Sequence, residues 1–394
     1  MVPLGRLRRP LESPHAFREF VLKIHSRCDL ACDYCYVYTM ADDSWRGQPK
    51  VMSTHTIDLT ADRIAEHVKA HGIRSVSLTL HGGEPLLAGP ELIGHAARRT
   101  HDAVASMADV NIRIQTNGVR LTDSFLRLFD SLNVRVGISL DGGRAAQNRH
   151  RRTASGRGSH SAVIASLKRL TAERYRHLFA GLLCTIDLYN DPVATYEELL
   201  RFQPPVVDFL LPNGNWSAPP PARTEDLALT PYADWLIKVF DRWYESERRE
   251  TRIRFFEDII AVLLGGQSRT EGVGLAPVCV AVVETDGSIE QSDLLKSAYS
   301  GAPHTGLHVA ADSFDQALRI PGIAARQLGI YGLADICLSC DVHRVCGGGL
   351  YPHRYRAGVG FMNPSVYCSD LYRLIGHIRQ RLIEGLATLR AGRP

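Results

Sequence analysis

The stretch Ile24-His25-Ser26-Arg27-Cys28-Asp29-Leu30-Ala31-Cys32-Asp33-Tyr34-Cys35-Tyr36 decides how this chain is read. Its three thiols follow a short strand-like run, Phe20-Val21-Leu22-Lys23-Ile24. Three thiolates from one loop can hold three irons of a cubane cluster and leave the fourth iron without a protein ligand. An open iron lets a cluster bind and reduce a small molecule rather than merely pass electrons. A zinc knuckle is the competing assignment. Zinc normally takes four ligands in a closed site, and the fourth would have to be His25 or a distant residue.

Outward from this loop, short apolar runs alternate with amphipathic stretches. Strands are expected at 20–24, 75–80, 110–115, 134–140, 178–186 and 206–211, with helices between them at 55–70, 90–106, 123–132, 161–172 and 192–202. Six such units read as an α/β fold, a parallel sheet with outer helices forming a partial (β/α)6 barrel. Parallel sheets place chemistry at the carboxyl ends of their strands, and the Cys loop follows the first strand. The second strand runs into His81-Gly82-Gly83-Glu84-Pro85, where adjacent glycines allow close approach of backbone to a ligand and Glu84 can accept from a ligand ammonium. The third ends in Gln115-Thr116-Asn117-Gly118 and the fourth in Ser139-Leu140-Asp141-Gly142, so Asn117 and Ser139 are further candidates. A basic run follows (Arg144, Arg149, His150, Arg151, Arg152, Arg157), read either as a solvated loop or as a carboxylate-binding site. Cys184, alone among aliphatics, reads as a buried small hydrophobe.

The totals restrict the function classes. A net charge of +4 over 394 residues gives no footprint for nucleic acid, and no apolar run is long enough to span a bilayer. The Arg-rich start has no hydrophobic segment after it, and residues 1–16 are expected to be a loose arm. Nine cysteines fall into Cys28/Cys32/Cys35 and Cys337/Cys340/Cys346/Cys368, plus Cys184 and Cys279. That clustering points to metal in a reducing cytoplasm rather than to disulfides.

Pro212–Arg223, with three consecutive prolines, is expected to be a loop or linker that closes a first domain at 17–222. Bridging helices at 232–247 and 254–264 would fill 223–275, and a cysteine-rich domain would occupy 276–394. It opens with a hairpin around Thr285-Asp286-Gly287. Cys337, Cys340, Cys346 and Cys368 supply four thiolates, a complete shell for a second cluster or for structural zinc.

Together these motifs resemble the radical S-adenosylmethionine (SAM) enzymes that carry a C-terminal SPASM domain and mature ribosomal peptides. The wording of 24–30 and of Cys346-Gly347-Gly348-Gly349 followed by Tyr351-Pro352-His353-Arg354-Tyr355 is similar to the FxsB-type branch, which joins an aromatic ring to a side-chain β-carbon as a cyclophane. The resemblance implies a SAM-binding 4Fe–4S cluster on Cys28, Cys32 and Cys35, with Gly82, Gly83 and Glu84 holding the methionine amino group. It also places Arg151 near the SAM carboxylate and Asn117 and Ser139 among the cofactor contacts. The fuller family pattern has cysteines where this chain has Ser292 and Leu350. One auxiliary 4Fe–4S cluster is therefore expected, with Cys279 outside it. Asp293 stands where sulfatase-maturating relatives use an Asp as base. The implied activity is hydrogen abstraction from a peptide side chain by a 5′-deoxyadenosyl radical, followed by an intrapeptide crosslink. Thioether or ether formation, epimerisation and formylglycine formation are alternatives, as is a zinc-stabilised binding protein. The implied partners are a precursor peptide, leader plus core, and an electron donor such as ferredoxin or flavodoxin.

Overall fold

The computed structural model describes residues 14–391 apart from 225 and 227. Six strands run parallel in chain order: β1 (Glu19–His25), β2 (Ser75–Gly82), β3 (Asp109–Thr116), β4 (Arg135–Ser139), β5 (Phe179–Thr185) and β6 (Val206–Leu210). Between them lie α1 (Thr54–His71), α2 (Gly89–Val104), α3 (Asp123–Leu132), α4 (Arg144–His150), α5 (His160–Leu170) and α6 (Pro192–Leu200). The sheet is a partial barrel of the expected α/β class. Local chemistry sets the element ends. The Ser53 hydroxyl accepts from Thr56 N to start α1, and Gly72 closes that helix in a left-handed conformation. Asp191 caps α6, with Pro192 in its first turn. Buried Leu22, Leu78, Leu80, Ile112, Ile114, Val136 and Ile138 fill the sheet's core face.

Three expectations change. The basic run at 144–150 is helical: Ala146 and Gln147 are buried, while Arg149 and His150 pair with Asp187 from the segment after β5. The segment 212–223 is a loop, one of the two expected alternatives, but a packed one. Asn215 is fully buried and donates to Ser297 O at 2.7 Å, and the Trp216 indole donates to Pro364 O at 2.7 Å. Prolines here shape a packed connection rather than a tether. The sheet also continues across the boundary expected at 276. After α7 (Pro231–Tyr244), β7 (Arg252–Ile253) adds in parallel to β6, and α8 (Arg254–Leu263) follows it. Then β8 (Val280–Val283) adds in parallel to β1 on its other side, with β9 (Ser288–Glu290) and β10 (His304–His308) continuing antiparallel. The strand order is β10-β9-β8-β1-β2-β3-β4-β5-β6-β7. The hairpin therefore belongs to the same sheet as the Cys loop.

The loose arm lies, up to residue 13, outside the described residues. His15 is held: its N–H donates to Gln327 Oε1, and its carbonyl accepts from Gln327 Nε2, each at 2.9 Å. The C-terminal helix (Cys368–Ala391) packs back on the body through buried Leu371, Leu374, Ile375 and Ile378. Among the described residues, no helix is long and apolar enough to cross a membrane.

Candidate active site

A cavity of about 560 Å³ opens at the carboxyl ends of the parallel strands. Cys28, Cys32 and Cys35 all line it, on the loop that β1 feeds. All three are free thiols. Burial pushes the Cys28 thiol up to about 12 and the Cys32 thiol up to about 11, with the Arg151 guanidinium opposing the shift at Cys32. Ionised together in this setting, the three thiolates would need a cation to join them. Two donors already point at sulfur: Leu30 N–H lies 3.4 Å and Asn117 Nδ2 3.7 Å from Cys28 Sγ. This donor set, thiols with amides aimed at one of them, fits an iron–sulfur cluster.

The two glycines are needed for the loop itself. A Cβ on Gly83 would stand 1.8 Å from the Tyr38 hydroxyl oxygen and 2.6 Å from the Arg27 carbonyl, and one on Gly82 would meet His25 O at 2.2 Å. Gly83 N–H donates to His25 O at 2.8 Å, and Glu84 N–H to Arg27 O at 3.0 Å. The close approach expected toward a ligand is made here toward the backbone of the Cys loop. Gly83→Ala is therefore expected to cost at least about 1–3 kcal/mol and to lower iron loading. Iron per chain after reconstitution, read beside a urea midpoint, checks this. Parent-level values of both would remove the argument.

Glu84 is fully buried and lines the cavity. Its Oε1 accepts from Leu86 N at 3.0 Å and Thr116 Oγ1 at 2.6 Å, and its Oε2 accepts from Asn117 N at 2.8 Å. A carboxylate has about four acceptor positions, so one on Oε2 is left for a ligand. Burial raises the Glu84 carboxyl to about 7 against these hydrogen bonds. Asn117 joins the strand end to the Cys loop by donating to Asp29 Oδ1 at 2.8 Å. Ser139 Oγ accepts from Gln115 Nε2 at 3.1 Å on the same wall. Arg151 Nε donates to Asp141 Oδ2 at 2.8 Å, and the guanidinium lies 5.5 Å from the centre of the Tyr34 ring, whose hydroxyl also bonds Asp141. The Arg151 terminal NH2 groups have no partner among the described residues, so a fixed cation with free donors faces the cavity.

Opposite the thiols, Asp293 begins the short helix Asp293–Ser297 just after β9 and also lines the cavity. It is not the surface residue a hairpin position suggests. It is 6% exposed, and Lys23 Nζ donates to its Oδ2 at 2.7 Å. Lys23 and the neighbouring His81 and Lys296 hold its carboxyl below the usual value against the opposing effect of burial. Behind this pair sit Glu284 and Glu290, with Lys296 3.2 Å from Glu284 and 3.7 Å from Glu290. Sequence reading missed Lys23 and His81. A lysine inside an apolar strand was the available signal for the first.

Burial, helped by Glu284, raises Glu290 to about 8. A carboxyl whose folded pKa lies above its unfolded value contributes stability that is complete below the unfolded value, about 4.3, and lost as pH rises through the folded one. Glu290→Gln is expected to flatten the fall in stability between about pH 4.3 and 8. Urea midpoints taken across that range check it, and an unchanged slope would count against it.

The other four cysteines, Cys337, Cys340, Cys346 and Cys368, line a second cavity of about 60 Å³. Burial lifts the Cys346 thiol to about 12, with Cys368 and Cys337 adding to the rise, which places these sulfurs within electrostatic reach of one another. Four thiols around so small a space fit a thiolate-bound metal group. Cys279 stands apart, its thiol 3.5 Å from Pro277 O, and Cys184 is buried in β5.

Residues 22–202 match the Radical SAM superfamily. Members of this superfamily bind a 4Fe–4S cluster and SAM. The chain is similar to the cysteine-type anaerobic sulfatase-maturating enzyme of Clostridium novyi (strain NT), 24% identical over 281 residues, covering 68% of this chain and 71% of that enzyme. It is also similar to the serine-type anaerobic sulfatase-maturating enzyme of Klebsiella aerogenes, 26% identical over 383 residues, covering 93% and 86%. In fold, it is similar to the solved structure of native anSMEcpe with bound AdoMet and Cp18Cys peptide, with a TM-score of 0.79 at 20% identity over 94% of this chain and 99% of that one. The C-terminal region thus lies within the fold likeness as well.

Proposed function

We propose that this chain is a radical SAM maturase that oxidises a side chain of a peptide by two electrons. The observation that carries the reading is one cavity lined by Cys28, Cys32 and Cys35 and also by the ionised Asp293. The three thiolates would hold a 4Fe–4S cluster, and Gly82, Gly83, Glu84, Asn117, Ser139 and Arg151 would hold SAM. That pair, when bound, supplies one-electron cleavage of SAM and removal of a hydrogen atom. The protein's own residues do the rest. Arg151 offers fixed donors suited to a carboxylate, and Glu84 offers one acceptor suited to an ammonium. Asp293, held ionised by Lys23, would serve the step that draws a proton off the substrate. Cys337, Cys340, Cys346 and Cys368 would hold one auxiliary 4Fe–4S cluster.

The finer reading is an intrapeptide crosslink from an aromatic ring to a β-carbon. Phe209, Phe255, Leu294 and Leu350 line the cavity and suit a bulky apolar side chain. Formylglycine formation is the second reading, and the names of the sulfatase-maturating relatives favour it. The peptide partner would be a leader-and-core precursor in the first case, and an external reductant such as ferredoxin or flavodoxin would supply electrons in both.

The test is anaerobic incubation with SAM and reductant, using the peptide encoded beside this gene and, separately, a sulfatase-type Cys or Ser peptide. A crosslink removes two hydrogens, leaves no aldehyde for a hydrazide to trap and suppresses fragment ions between the joined residues. Formylglycine from either residue gives the hydrazide adduct. Stoichiometric zinc without sulfide would end both readings.

A further inference from the structure

The paired strands β1 and β2 place Lys23 directly opposite His81. Asp293 Oδ2 lies between them, 2.7 Å from Lys23 Nζ and 3.8 Å from His81 Nδ1. His81 also lines the large cavity and keeps 24% of its side chain accessible. Its two ring nitrogens differ. Nδ1 is enclosed without a hydrogen-bond partner and faces the Asp293 carboxylate. Nε2 has no protein partner among the described residues and is not enclosed.

A neutral imidazole has one N–H and one lone pair, and the hydrogen bond at one nitrogen fixes the role of the other. The carboxylate facing Nδ1 favours the proton there, which leaves the Nε2 lone pair for the cavity. Asp293 itself is a poor place to leave a proton, because its Oδ2 already holds the Lys23 ammonium and its Oδ1, without a hydrogen-bond partner, is enclosed away from the cavity. We infer that His81 Nε2 is the atom that takes the substrate's proton, and that Asp293 is the positioning residue that sets the His81 tautomer and stabilises the imidazolium. The inference rests on the reading of this protein as a peptide-oxidising maturase and names the acceptor within it.

The step balances as follows. One hydrogen atom has left a C–H bond of the peptide's reacting residue. A second substrate bond to hydrogen breaks heterolytically, its proton forms an Nε2–H bond on His81, and its electron pair stays on the substrate. The remaining single electron leaves to a one-electron acceptor of the iron–sulfur class. A crosslink and a formylglycine precursor both require this loss of proton and electron. The groups facing His81 are Lys23 from β1 and Asp293 from beyond β9. Glu284 lies 4.0 Å behind Lys23, with Lys296 and Glu290 deeper in. Burial, and then the Lys23 ammonium, lower His81 to about 4 while Asp293 opposes them. The ring is therefore in its accepting form throughout the neutral range.

The experiment uses the full-length protein, reconstituted and oxidised, with 15N-labelled histidine. The His81 signals, identified by their loss in His81→Gln, are expected to show the Nδ1–H tautomer at neutral pH and to titrate well below the ordinary imidazole value of about 6.5. Asp293→Asn should shift them toward the other tautomer. An Nε2–H tautomer in the parent protein would overturn the assignment, whatever the substrate proves to be. In turnover, His81→Gln should lower the ratio of modified peptide to deoxyadenosine by about 100-fold or more, with partial recovery when imidazole is added to His81→Ala. A parent-level ratio in His81→Gln would overturn the proposal as well. If no peptide is modified by the parent enzyme, the functional reading fails, and the tautomer measurement still decides the geometry.

Discussion

Cys32→Ala is expected to abolish deoxyadenosine formation from SAM, by more than about 100-fold. The reason is the count of ligands. Cys28, Cys32 and Cys35 are the three thiols on the cavity wall, and the loop supplies no fourth sulfur. Removing one leaves two thiolates, too few to keep a cubane in place. Iron per chain should fall by about half, because the four-cysteine group at 337–368 is untouched. Cys184→Ala is the matched control, since that thiol is buried in β5 at 1% exposure and lines neither cavity. It should lose a little packing and no iron. Anaerobic reconstitution followed by iron, sulfide and deoxyadenosine assays reads all of this. A Cys32→Ala protein that cleaves SAM at the parent rate would overturn the assignment of the loop.

The second large effect is on stability. Lys23→Met should cost about 3–5 kcal/mol, because it strands the buried Asp293 carboxylate without its 2.7 Å partner. Both side chains are nearly inaccessible, at 2% and 8%, so water cannot replace the ammonium. The methionine matches the lysine stem in length, which separates the lost charge from lost packing. Removing both charges should be milder than removing one. The double variant Lys23→Met/Asp293→Asn is expected to recover about 2 kcal/mol of the single variant's loss. Urea unfolding of the four proteins of the cycle measures the coupling. Strict additivity would show that the pair does not interact as drawn.

Much of the barrel can be read from the sequence because its signals are local. The apolar runs of β1 and β2 and the Gly-Gly turn after His81 each mark an element within a few residues. The cysteine sets are legible for the same reason, since ligand spacing is a short-range pattern. Other features are not local. Val280 pairs with Glu19, and nothing near either residue announces the partner. Asp293 looks like a hairpin surface residue until β8 and β9 carry it beneath Lys23. Asn215 and Trp216 sit in a proline-rich segment that composition alone would leave in solvent, and only their distant carbonyl acceptors show it to be packed.

The parallel addition of β8 to β1 also bears on how the molecule comes into being. During synthesis, β1 emerges well before β8, and its outer edge stays bare until the segment beyond 280 is available. An unpaired strand edge invites association with other polypeptides, so the nascent protein passes through an aggregation-prone interval. A fragment ending before β8 should be insoluble rather than a smaller working unit.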